Sequence, residues 1–103
     1  MKRAKVFVDD FFAGILEEIE KGKSYRFTYN TDYAGHPVSL TMPLKQRIYN
    51  FNRFPPFFEG VLPEGFQLQA LLKKRKIDRD DYFQQLITVG QDLVGNVTVQ
   101  EYL

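Results

Sequence analysis

The side chains able to do chemistry are few and scattered. The single imidazole, His36, sits in a Gly35-His36-Pro37 loop, and the chain has no cysteine, so a transition-metal site would have to be built from carboxylates alone. Ser24 and Ser39 stand outside any G-x-S-x-G context, and one loop histidine gives a nucleophile and base little to be assembled from. Acidic clusters at Asp9 and Asp10, Glu17 to Glu20, and Asp78 to Asp81 contain paired carboxylates of the kind used in general acid–base work. They fall at expected turns and at a helix start, where solvation and capping call for the same residue types. There is neither a G-x-x-x-x-G-K-[ST] loop nor a G-x-G-x-x-G turn to cradle a phosphate. The expectation is a protein that is not an enzyme, with no catalytic, cofactor-binding or metal-ligating residue and no cofactor.

The elements that would position these groups belong to one small domain, residues 1–103. Hydrophobic residues make up 44% and charged residues 26%, the balance of a chain that buries a core. Ten Phe and six Tyr are more rings than one small core readily hides, so some are expected to face a partner. Fourteen Lys and Arg against thirteen Asp and Glu leave no strong field to draw nucleic acid or an anionic membrane. No apolar run approaches the roughly 20 residues that cross a bilayer, and the start, MKRAKVFVDD, lacks the long apolar stretch of a signal peptide. The cytoplasm is the expected location.

Strands come first. Lys5 to Val8 is a short β-prone run, and Phe11 to Glu18 follows a turn at Asp9 and Asp10; Ile15, Leu16 and Ile19 also suit a helix, and Gly14 among branched and aromatic neighbours tilts the reading to strand. After a turn at Gly22, Tyr25, Phe27 and Tyr29 alternate with Arg26 and Thr28. Asn30 to Pro37 reads as a loop, and Val38, Leu40 and Met42 alternate with Ser39 and Thr41 as a fourth strand ended by Pro43. Lys45 to Asn52 is a polar stretch too short to separate domains. Asn52 is a candidate cap for a short helix with Pro55 in its first turn and Gly60 near its end. Pro63 restarts the chain into a helix whose Leu68, Leu71 and Leu72 share one face while Gln67, Gln69 and Lys73 stay wet; its basic end, Lys73 to Lys76, suits the helix dipole. Asp78 and Asp81 cap a further helix with Phe83, Leu86 and Ile87 inward and Gly90 at its end, and Val97 and Val99 form a last strand. This order implies an α+β fold, a mostly antiparallel sheet with two to three helices packed on one face.

Three stretches, PVSLTMPL, FPPFFEGVLPEG and DYFQQLITVGQDLVGNVTV, carry a family resemblance. In this order they resemble the S-L-x-x-P-L, F-F-x-x-L-L-P and I-G-x-D-x-x-G-A stretches of the N-terminal subdomain of HipA-like serine/threonine kinases. The resemblance runs from about Ala4 to Val99, with Val61, Val89 and Asn96 as departures. The 103 residues leave no room for a kinase body, and a lone copy of the subdomain is similar to the HipS family, the small component of bacterial tripartite HipBST toxin–antitoxin systems. There HipT is the kinase toxin and HipB the DNA-binding partner. The resemblance implies an antitoxin that docks on a HipT-like kinase in trans, where the kinase's own N-terminal subdomain would sit, and blocks its active site. It implies HipB only indirectly, in a ternary complex, and neither membrane nor direct nucleic-acid contact.

A subdomain detached from its kinase keeps the apolar patch that faced it. The segment Leu62-Pro63-Glu64-Gly65-Phe66 is the candidate partner-binding site. At about 100° per residue, a helix with Leu68 at the centre of its buried face turns Phe66 about 160° away. Two placements of the ring stay open: outward, as an anchor for a partner's pocket, or covered by the preceding loop and the Phe51 to Phe58 cluster. Two other functions also stay open. One is a split subdomain that completes an active kinase; the other is a nucleic-acid module built on Lys73, Lys74, Arg75 and Lys76.

Overall fold

The computed structural model is described for residues 1–62, 65–93 and 95–102, leaving aside the side chains of Gly65 and Phe66. Its elements are β1 (Lys2–Val8), β2 (Phe11–Glu20), β3 (Ser24–Tyr29), β4 (Ile48–Phe51), α1 (Pro56–Gly60), α2 (Gly65–Arg75), α3 (Tyr82–Val89) and β5 (Val97–Glu101). The strands form one five-stranded sheet in the order β4-β3-β2-β1-β5, every pair antiparallel. This is the expected α+β architecture.

Alternation decides which side of the sheet is dry. Ala4, Val6 and Val8 of β1, Leu16 of β2, Tyr25, Phe27 and Tyr29 of β3, and Val97 and Val99 of β5 are all buried, as period two requires for one face. Helices α1 and α3 cover that face. Phe58 of α1 meets Phe27 with ring centroids 6.3 Å apart, and Phe83 of α3 stacks on Tyr25 at 6.4 Å. The hairpin joining β1 and β2 turns through Asp9 and Asp10, both in the left-handed region. Two residues farther along β2 the ladder slips: Val6 faces Gly14 while Phe7 faces Phe12, so Ala13 is the extra residue of a β-bulge. Its carbonyl accepts from the Asn30 amide at 2.8 Å. Gly14 is required here because a Cβ would run into the Thr28 carbonyl oxygen of β3.

Two assignments from sequence need correction. Val38 to Met42 is a turn, not the fourth strand. Val38 and Met42 are buried while Leu40, which alternation would put beside them, is 95% exposed. The cause is local competition for the backbone: the Ser39 hydroxyl accepts from the Thr41 amide at 3.2 Å, and the Met42 amide bonds the Ser39 carbonyl at 3.0 Å. The fourth strand is β4, inside the stretch read as a polar connection. Asn52, moreover, is not the cap of α1; the N-cap is Pro55, with Pro56 as the first helical residue, and no side chain bonds the helix end.

Candidate partner-binding surface

Helix α1 ends at Gly60, and the chain then turns with the Leu62 amide donating to the Glu59 carbonyl at 3.2 Å. Leu62 is 8% exposed and belongs to the core, so its part in the candidate segment is to pin the turn, not to touch a partner. Pro63 and Glu64 lie outside the described residues, as does the Phe66 side chain; the Gly65 and Phe66 backbones open α2.

Helix α2 follows the expected periodicity only in part. Gln67, Gln69 and Lys73 are exposed and Leu68, Leu71 and Leu72 are the better covered face, but all three leucines are only half-buried and, among the described residues, none is packed against the core cluster. Lys73, Lys74 and Arg75 occupy the last turn, where cations complement the helix dipole. Lys76 then takes a left-handed φ of 55°, and the Ile77 amide reaches back to the Leu72 carbonyl at 3.1 Å, closing the helix.

Helix α3 is held far more tightly. Asp81 is its N-cap, accepting from the Gln84 amide at 3.1 Å, and its second carboxylate oxygen lies 3.7 Å from the Lys2 ammonium and 3.8 Å from that of Lys21. Gln85, fully buried, donates its side-chain amide to the Asp78 and Arg79 carbonyls at 3.2 and 2.9 Å. Of the acidic cluster at 78–81, the Asp81 carboxylate is the cap, while Asp78 contributes its main-chain carbonyl. Glu18 is buried as well, beside Tyr25, whose phenol is raised above 10.0 first by burial and then by that carboxylate. Among the described residues no three His, Cys, Asp or Glu side chains come together as a metal site would require. His36 gives its carbonyl, not its ring, to the structure, accepting from the Tyr33 hydroxyl at 2.5 Å.

The sheet face away from the helices carries what the sequence reading missed. Tyr102 lies under both Arg3 and Lys5, at 4.5 and 5.1 Å from ring centre to cation, and Lys5 also covers Phe12, which packs on Phe7. Phe11, which faces Val8 across the hairpin and so belongs to the other side of the sheet, is 69% exposed. The only signal in the sequence was the surplus of rings.

A profile of the HipA N-terminal domain matches residues 4–100. The chain belongs to the HipA N-terminal domain family. A solved structure described as the N-terminal domain of HipA toxin superimposes on it with a TM-score of 0.78 at 29% identity, covering 100% of this chain and 94% of that one. An uncharacterized protein of Haemophilus influenzae is 34% identical over 101 residues, 98% of this chain and 93% of its own length. The HipA N-terminal domain fold of this chain thus comes with the three motif stretches in their family order, and no helix among the described residues is long and apolar enough to cross a membrane.

Proposed function

We propose that this chain is the antitoxin of a HipA-type toxin–antitoxin system, binding a HipT-like kinase in trans and blocking its active site. The observation that carries the reading is α2: its leucine face is only half-buried and, among the described residues, is not packed on the core cluster, and the helix directly follows the Leu62 to Phe66 segment taken as the candidate contact. A helix held so lightly is free to complete its packing against another protein. The Haemophilus influenzae relative supports the reading too, because 93% of its length is this domain and a kinase body does not fit in the rest. Neutralisation is steric: the Pro63 to Phe66 segment enters the cleft, with Glu64 facing a basic kinase residue. HipB joins through the kinase, in a ternary complex. The chain itself has no part in phosphoryl transfer, and purified protein is expected to turn over no ATP.

The test is to express a HipT-like kinase from the same genome with and without this chain, and to measure growth, complex formation and kinase activity. Rescue of growth with a stable complex and suppressed phosphorylation is the expected result. Kinase activity that rises on adding the chain would instead identify a split subdomain completing an active enzyme.

A further inference from the structure

The two edges of the sheet are finished differently. On β1 the Arg3 carbonyl accepts from the Tyr102 amide and the Asp9 amide bonds the Asn96 carbonyl, a parity that turns the backbone of Val97, Val99 and Glu101 outward from β5. The middle of that edge is covered by the chain itself: the Val99 amide donates to the Gly90 carbonyl at 2.9 Å and its carbonyl accepts from the Gln91 side chain at 3.3 Å.

Strand β4 is the open edge. The Tyr29 amide donates to the Arg47 carbonyl, so the hydrogen-bonded pairs with β3 are Tyr29–Arg47, Phe27–Tyr49 and Tyr25–Phe51, and the backbones of Ile48 and Asn50 point away from the sheet. Among the described residues only the Ile48 carbonyl has a partner, the exposed Gln46 side-chain amide at 2.7 Å. Below this edge, on the helix side, a groove of about 690 Å³ is walled by Met42, Tyr49, Phe51, Pro55, Pro56 and Phe57. A strand paired to β4 would send every second side chain into that groove.

Charge narrows the occupant. From Tyr33 to Phe58 the sequence has no Asp or Glu, while Lys45, Arg47 and Arg53 are cationic, and Arg53 lines the groove. A second copy of this chain would bring the same cations against themselves, edge to edge. We propose that β4 takes an extended, acidic peptide segment of a partner polypeptide as a sixth strand, with aromatic or aliphatic side chains filling the groove at alternate positions. Leu62 is not among the described residues that wall this groove, and the proposal does not depend on the antitoxin reading.

The test pans a phage-displayed library of random dodecapeptides on the whole immobilised chain and measures synthetic winners by fluorescence anisotropy. The expected winners alternate apolar and acidic residues and shift the amide resonances of Ile48 and Asn50. Asn50→Pro removes an outward donor without touching the β3 ladder, and Arg53→Glu reverses the charge; each is expected to weaken binding by about tenfold or more while melting as the parent does. Should Asn50→Pro melt early, a winner N-methylated at the positions facing β4 replaces it and is expected to lose binding equally. A library that yields no winner, winners that bind both variants unchanged, or a chain that dimerises alone and becomes monomeric on Asn50→Pro would each overturn the proposal.

Discussion

The Tyr29 hydroxyl donates to the Met42 carbonyl at 2.5 Å, tying a strand in the middle of the fold to a turn that has no ladder of its own. The same oxygen accepts from the Val38 amide at 2.9 Å, so one buried phenol satisfies two main-chain groups. Tyr29→Phe keeps the ring and removes both bonds. It is expected to cost about 1–3 kcal/mol, read as a lower urea midpoint at neutral pH with unchanged slope.

Tyr25, Tyr29 and Tyr33 all have phenols raised above 10.0, in each case first by burial. The folded state then holds its protons to higher pH than the unfolded chain does. Their contribution is fully present below pH 10.0 and is lost as pH rises through the raised values, by up to about 1.4 kcal/mol per pH unit for each tyrosine. Urea titrations across the alkaline range are expected to show this fall, with a shallower slope in Tyr29→Phe.

Asp81 both caps α3 and faces two lysines, and two substitutions separate these roles. Asp81→Ala loses the cap and is expected to cost about 1 kcal/mol. Asp81→Asn keeps an acceptor for the Gln84 amide and forfeits only ion pairs with the half-buried Lys2 and the exposed Lys21, so it should stay within about 0.5 kcal/mol of the parent. Thermal melts of the two variants check this.

Gly14→Ala places a methyl group against the Thr28 carbonyl and 2.8 Å from the Phe27 ring. Neither the ladder nor a fully buried ring can give way cheaply, and a loss of about 1–3 kcal/mol or more is expected from melting.

Phe66→Ala and Phe83→Ala should divide binding from folding. Phe83 is fully buried against the sheet, and its truncation is expected to remove about 3–5 kcal/mol of stability. Phe66→Ala should melt within about 0.5 kcal/mol of the parent and lose about 2 kcal/mol of affinity for the kinase. Early melting of Phe66→Ala would assign that ring to the core and remove the plug. Leu71, half-buried on α2, should cost less than the 2–5 kcal/mol of a core leucine.

The first three strands, the Asp81 cap and the last strand were legible because each rests on a local rule: alternation, a side-chain acceptor at a helix start, or a glycine at a turn. The fourth strand was not. Ile48 to Phe51 is only four residues long and lies amid polar neighbours, and what makes it a strand is its pairing with β3, a contact distant in sequence. Val38, Leu40 and Met42 misled for the converse reason, since alternation records which residues are apolar and not whether hydroxyls nearby will claim the backbone. Leu68, Leu71 and Leu72 were correctly put on one face, but their spacing holds no information on whether the chain's own core or another protein covers it. The open edge and the groove beside it were invisible for the same reason as β4 itself.

Between β3 and β4 the path of the chain is set by side chains that grip main-chain atoms: Tyr29 on Val38 and Met42, Tyr33 on the His36 carbonyl, Tyr49 on the Pro43 carbonyl at 2.6 Å, and Arg47 on the carbonyls of Asn30 and Tyr33. A carbonyl is the same group whatever residue bears it. The clamps therefore recognise the route of the segment and are indifferent to most of its spelling, so an exposed residue such as Leu40 can be exchanged for almost any other while the three tyrosines and the arginine cannot. The segment is in this sense a replaceable surface on a fixed frame, where new contacts can be tried without rebuilding the domain beneath.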